Sequence, residues 1–283
     1  RGRVATESLR ASDDLIFLNV HPNKDGSLSF ENPRAFQGKG VTTWEGLIKS
    51  VSEKVKGTKV KIRLGASSGE WKAMIADETA RTTFAKNIKT VLEKNKLDGI
   101  DLDFEWAENE KEYKDYSLAI VKMREVLGDQ YLFSVSLHPV CYKISKKAIE
   151  AVDFISLQCY GPSPVRFPIE KYCSDIQMVL EYGIPKEKLV AGVPFYGVTK
   201  DNSKKTEAYF NFVQDGLITS PSQNEVIYQG DNYVFDGQDN IRIKTRYAKE
   251  QKLKGMMSWD LATDLPLNDS RSLLKTMTEE LRK

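Results

Sequence analysis

Apolar and polar positions along this chain follow two periods in turn. Short runs alternate every second residue or are continuously apolar, and the stretches between them repeat every three to four residues. Leu15–Val20, Val60–Gly65, Leu97–Trp106, Tyr131–His138, Val152–Tyr160, Leu189–Tyr196 and Gly255–Trp259 read as strands. Between them, Leu47, Ile48, Val51 and Val55 form one helical stripe, capped by Thr42 or Thr43. Phe84, Ile88, Val91 and Leu92 form a second, and Tyr116, Ala119, Ile120, Met123 and Leu127 a third. Shorter helices are expected at Lys146–Ala151 and Glu170–Tyr182, and a closing one at Ser270–Leu281.

Strands alternating with helices define an α/β protein with a parallel sheet. Seven strands fit a (β/α)8 TIM barrel of which the first strand is not identifiable, because residues 1–13 hold no strand-like run. An open doubly wound sheet is the alternative, but no Gly-rich phosphate loop follows any strand. The longest connection, 197–240, contains a helical piece (Thr206–Val213), the turn Ser220-Pro221-Ser222 and a hairpin-like run from Val226 to Phe235. With no linker or internal repeat, residues 1–283 are expected to form a single domain, including a modest insertion at about 197–240.

One strand carries unusual chemistry. In Asp98-Gly99-Ile100-Asp101-Leu102-Asp103-Phe104-Glu105-Trp106, alternation puts Asp101, Asp103 and Glu105 on one face and Ile100, Leu102 and Phe104 on the other. Same-face neighbours on a strand lie about 6.5–7 Å apart. Acids so placed cost free energy unless protonated, paired or hydrogen-bonded, and their mutual repulsion raises at least one pKa. A solvated acidic edge strand would be the plainer explanation. Composition narrows the function further. Lys+Arg number 42 and Asp+Glu 40, so the basic excess of a nucleic-acid binder is missing. No apolar run approaches a membrane span. Cys141, Cys159 and Cys173 are odd in number and lack metal-like spacing, and two histidines make a His-rich metal site improbable.

In a parallel barrel the C-terminal ends of the strands face the site. Those ends here hold Glu105 and Trp106, Gln158 and Tyr160, Phe195 and Tyr196, and Trp259 and Asp260. An acid able to protonate a leaving oxygen, flanking carboxylates, a phenol and an indole suit sugar hydrolysis. The spacing of Asp98, Asp101, Asp103 and Glu105 resembles the DxxDxDxE signature of family 18 glycoside hydrolases, which include chitinases and endo-β-N-acetylglucosaminidases. Val152–Tyr160, Gly192–Gly197 and Gly255–Asp260 are similar to that family's sixth, seventh and eighth strands, in the right order. Tyr233–Asp236 resembles a segment preceding its last helix–strand unit.

The resemblance implies a retaining reaction in which the substrate's own N-acetyl oxygen is the nucleophile. Glu105 would be acid and then base. Asp103 would orient the acetamido group, and Asp101 would share a proton with it as a coupled pair. Tyr160 would bond the acetamido carbonyl, and Trp259 would floor the subsite. Gln158, Tyr196, Trp106 and Trp71 would line the substrate groove, and Asp98, of opposite parity to Asp101, would be structural. No metal or cofactor is expected. The expected partner is an oligo- or polysaccharide containing N-acetylglucosamine, met by a monomer in a secreted, periplasmic or cell-envelope location. The sequence departs from the family pattern in three places. Arg63-Leu64-Gly65-Ala66 stands where Ser-x-Gly-Gly is usual, Gly161 where Asp or Asn follows the tyrosine, and Gln158 where Met is common. Rival readings are an N-glycan endoglycosidase, a chitinase-like lectin and a metal-dependent barrel enzyme. His138 is expected to be a satisfied structural histidine, Trp44 a core residue and the cysteines inert.

Overall fold

A computed structural model of the chain describes residues 4–32 and 41–283. Its contacts divide it into two compact units, one of Ser12–Ile155 and one of the chain up to Ala11 together with Ser156–Lys283.

In the 12–155 unit the strands are β1 (Asp14–Pro22), β2 (Leu28–Phe30), β3 (Lys61–Ser67), β4 (Gly99–Asp103) and β5 (Leu132–Leu137). β1, β3, β4 and β5 are parallel neighbours in that order, and β2 folds back antiparallel on the end of β1. Every residue of β4 is buried, as in a strand covered on both faces. The connecting helices start where side-chain caps can satisfy free N–H groups. Thr43 caps Trp44–Val55, Asp77 caps Glu78–Asn95, Asn109 caps Glu110–Leu127 and Ser145 caps Lys146–Ala151. Phe84, Ile88 and Leu92 from the second of these helices and Tyr116, Ile120 and Met123 from the third are buried in the core, on the expected stripes. Trp44 is buried and stacks on Phe30 with ring centroids 4.7 Å apart.

The boundary between the units falls within β6 (Phe154–Leu157). In the second unit, β7 (Leu189–Pro194) pairs in parallel with the last strand, which spans Gly255–Trp259. The long connection forms its own antiparallel sheet from β8 (Tyr196–Thr199), β9 (Thr206–Ala208), β10 (Glu225–Tyr228) and β11 (Asp231–Val234), in the order β10-β11-β8-β9. The hairpin read from Val226–Phe235 is thus present. The piece read as a helix over Thr206–Val213 is not wholly one. It begins as the strand β9, and the helix runs only from Tyr209 to Gln214. The Gly255–Trp259 strand is β12, and Leu273–Arg282 is the closing helix. Among the described residues, no helix is long and apolar enough to cross a membrane.

Candidate active site

The acid strand lies as the alternation predicts. Ile100 and Leu102 are fully buried on one face, while Asp101 and Asp103 are buried on the other. Glu105 lies beyond the end of β4 and is exposed. Asp98, ahead of the strand, accepts the Ile62 N–H at 2.8 Å and Lys61 Nζ at 3.0 Å. It ties β3 to the start of β4, a structural task.

Register supplies the partners of Asp101. It lies between Gly65 of β3 and Ser134 of β5. Ser134 Oγ donates a short hydrogen bond to Asp101 Oδ1, and Ser136 Oγ donates to Oδ2 at 2.8 Å. Arg63 Nη1 in turn donates to Ser134 Oγ at 2.8 Å and to the Ile100 carbonyl at 3.0 Å. The other end of the guanidinium grips Asp14, through Nε at 2.9 Å and Nη2 at 2.5 Å. Burial pushes the Asp101 carboxyl above the usual carboxylate range, and Arg63 and the two serine hydroxyls act against that rise. Tyr116, also buried, donates to the Leu102 carbonyl at 3.2 Å. Its phenol is held well above its ordinary pKa, chiefly by burial and then by the charges of Asp101 and Asp103.

The strand therefore runs from desolvated acids to a solvent-facing one. A carboxyl exposed at the strand end can meet a ligand, whereas one at the level of Asp101 acts only through its neighbours. Trp106, next along, is half-buried, with its ring 4.8 Å from that of His138. His138 Nδ1 accepts the Val140 N–H at 3.3 Å, in keeping with a structural histidine. The Glu105–Trp106 and Trp259–Asp260 peptide bonds are cis.

Trp71 corrects an expectation. It was expected to line the groove, but it is 3% exposed. Its ring lies 5.6 Å from those of Phe84 and Phe104 and 6.0 Å from that of Tyr116. The short helix Trp71–Ala76 turns the indole onto Phe104, on the apolar side of the acid stretch, and makes it a core residue.

In the second unit, Tyr160, Phe167, Tyr196 and Val198 form a buried cluster against Val234 and Met257. The Tyr160 and Tyr196 rings meet edge to face at 6.4 Å. Tyr160 OH donates to Met257 Sδ at 3.5 Å, and Tyr196 OH donates to the Gly161 carbonyl at 3.2 Å. Gly161, which has no side chain to offer, takes part through its backbone carbonyl. Gly192 makes room for Tyr160: a Cβ there would lie 2.9 Å from the ring and 2.7 Å from the Leu157 carbonyl. Gln158 is buried beside this cluster in sequence. Trp259 ends β12 in register with Pro194 and keeps 40% of its surface exposed, a flat apolar face on offer. Asp260 caps the turn that follows by accepting the Ala262 N–H at 2.7 Å.

Sequence reading missed Arg63 and Ser134 beside the acid strand, and Gly192 and Met257 beside the tyrosine cluster. Arg63 had a signal, a charge in the middle of a strand whose neighbours Ile62 and Leu64 are apolar. Cys159 is fully buried and its thiol is pushed well up by burial, which makes it inert. Among the described residues, no group of three or more His, Cys, Asp or Glu side chains is placed to hold a metal ion.

With this geometry in view, comparison with known proteins defines the class. The profile of Glycosyl hydrolases family 18 matches residues 8–264, and the chain belongs to that family. It is 22% identical over 273 residues to "Probable chitinase 2" of Drosophila melanogaster, an alignment covering 73% of this chain and 56% of that protein. The chain thus spans little more than half the length of that curated relative. Among solved structures, a chitinase from Bacteroides thetaiotaomicron superposes with a TM-score of 0.81 at 19% identity, covering 96% of this chain and 89% of that one. A chitinase-like agglutinin from Robinia pseudoacacia superposes with a TM-score of 0.79 at 16% identity, covering 99% and 96%. The fold is the TIM barrel of the family.

Proposed function

We propose that this protein hydrolyses β-1,4-linked N-acetylglucosamine chains by a retaining, substrate-assisted reaction. The observation that carries the reading is the acid strand, with Asp101 and Asp103 buried and Glu105 exposed on one run of backbone. Glu105 protonates the glycosidic oxygen and later takes a proton from the incoming water. The nucleophile is the substrate's N-acetyl oxygen, which closes onto the anomeric carbon as the leaving sugar departs. Asp103 holds the acetamido N–H and stabilises the positive charge of the resulting oxazoline-like ring. Asp101 and Asp103 act as one coupled acid pair. Tyr160 is assigned to the acetamido carbonyl and Trp259 to the apolar face of the sugar, with Gln158, Tyr196 and Trp106 lining the groove. A polymeric substrate of this kind fits a secreted, periplasmic or envelope setting.

The agglutinin among the structural neighbours makes sugar binding without cleavage the natural rival. Retention of both Asp103 and Glu105 favours hydrolysis. The test is Glu105→Gln, assayed on chitooligosaccharides and on a high-mannose glycoprotein. The amide keeps the shape of the acid but has no proton to give. Oligosaccharide affinity should stay near that of the unaltered protein while turnover drops by at least ~100-fold, the contribution of general acid–base catalysis. Normal turnover by the variant would sink the assignment. Cleavage of the glycoprotein alone would move the substrate class to N-glycan cores.

A further inference from the structure

We propose that Glu112 and Lys72 are positioning residues for Glu105: they latch the segment between the acid strand and the next helix, and so fix where the exposed carboxyl is presented. The consequence for catalysis rests on the hydrolase reading above; the latch itself does not.

Glu105 lies in a short segment that leaves β4 at Asp103 and enters the helix Glu110–Leu127 at its cap, Asn109. The sheet ladder no longer holds the backbone there, so other contacts must. At the near end Phe104 is buried, its ring 5.6 Å from that of Trp71 and 5.2 Å from that of Tyr116. Beyond Glu105, Trp106 packs on His138, and the backbone of Ala107 hydrogen-bonds the Cys141 thiol. At the far end the Glu108 N–H donates to Glu112 Oε2 at 2.8 Å. Lys72 Nζ lies 2.7 Å from Glu108 Oε2 and 3.3 Å from Glu112 Oε2. Trp71 and Lys72 are consecutive on the short helix Trp71–Ala76. One helix therefore grips the segment on both sides of Glu105, by apolar contact before it and by charge after it.

Asn109 and Glu112 have the spacing of a capping box, in which the glutamate reaches back to the N–H of the cap residue. The first half of the box is formed, with Asn109 Oδ1 accepting the Glu112 N–H at 3.0 Å. The glutamate, however, reaches one residue further, to Glu108, and so ties the helix to the segment that carries Glu105. The helix N-terminus favours a carboxylate at this place. The Glu108 N–H is the main reason that the Glu112 carboxyl is held below its usual range, and the Glu108 carboxylate the main reason that Lys72 is held above its own. A lone exposed ion pair contributes little. Here one ammonium stands against two carboxylates, and Glu112 keeps only 18% of its side-chain surface exposed. Without Lys72 the two acids would repel each other beside the segment. A reacting group displaced by an ångström can lose about 100-fold in rate, so a loosened segment acts on turnover.

Glu112→Ala removes the latch, Lys72→Met removes its cation, and Lys72→Arg restores the charge. Glu112→Gln keeps an acceptor for the Glu108 N–H and serves if the alanine variant folds poorly. Each would be compared with the unaltered protein in two ways. Amide hydrogen exchange followed by NMR reads how firmly Ala107 and Glu108 are held. kcat and KM on the N-acetylglucosamine tetramer read the consequence. In Glu112→Ala, exchange at Glu108 should quicken on the order of tenfold while the strands β3, β4 and β5 exchange as before. kcat should fall on the order of tenfold and KM should stay within about twofold. Lys72→Met should lose about threefold in kcat, Lys72→Arg should recover most of it, and Glu112→Gln should lie between the alanine variant and the unaltered protein. Quickened exchange at Glu108 with kcat unchanged would overturn the assignment. So would exchange at Glu108 that is the same with and without Glu112. A loss of kcat that comes only with faster exchange throughout residues 12–155, and that arginine does not rescue, would mark a merely structural role and overturn it too. An unaltered protein with no turnover, but with the local exchange pattern described, would remove the hydrolase reading and leave the latch standing.

Discussion

Two tryptophans show how differently identical side chains can be used. Trp71 sits in a cage of Phe84, Phe104 and Tyr116, whereas Trp259 holds a large part of its ring in the open. Trp71→Ala should lower stability by about 3–5 kcal/mol, the cost of an emptied aromatic site, read from urea unfolding. Trp71→Phe should cost less, because the buried indole N–H finds no hydrogen-bond partner among the described residues. Trp259→Ala should leave stability close to unchanged and raise KM for chitooligosaccharides severalfold. A shared response of the two positions would refute this division. Residue-level reading of the sequence set Asp101, Asp103 and Glu105 on one face from parity, and the first two are buried on β4. It misassigned Trp71 because a tryptophan following a strand looks alike whether its helix turns it outward or inward. It passed over Arg63 because the residues that make an arginine useful, Gly99, Ser134 and Asp14, are spread over three other strands.

The elements hold their functional residues through a few buried ties. Lys244, in the helix Gln238–Glu250, donates to Asp236 at 2.6 Å and to the Phe167 carbonyl at 2.9 Å, and neither charged side chain has any exposed surface. Phe167 packs on Tyr196, which packs on Tyr160, so the helix is connected to the tyrosine cluster. Lys244→Met would strand a buried carboxylate and should cost about 3–5 kcal/mol. Adding Asp236→Leu should recover much of that loss, as a double-mutant cycle in urea would register. Strands and helices were largely legible, since burial on one or both faces writes itself into the period of the sequence. β9 was not, because Thr206–Ala208 is too short to show alternation and runs directly into helical residues.

At the scale of the whole molecule, the near balance of 42 basic and 40 acidic residues suits an uncharged polymer substrate better than a polyanion. Family membership rests on residues 8–264, nearly the whole chain, and the acid strand lies within that span. In the proposed reaction the substrate contributes its own nucleophile, so the protein's activity depends on a group it does not carry. Oligosaccharides deacetylated at the sugar next to the cleaved bond should therefore not be cut, even where they bind. Product analysis by mass spectrometry would check this, and efficient cleavage of such chains would rule the mechanism out. What the sequence could not convey at this scale is which carboxyl is dry and which is wet. That depends on where each strand ends, and β4 ends at Asp103, two residues short of Glu105.

The complete enclosure of Arg63 has one more consequence. Counter-ions gather around an exposed cation and blunt its field within about a Debye length, roughly 8–10 Å in ordinary saline. No electrolyte can gather at Arg63, since none of its surface touches solvent. Its influence on Asp101 is thus set mainly by the packing of four strands, and brine weakens it far less than it weakens a pair of surface charges.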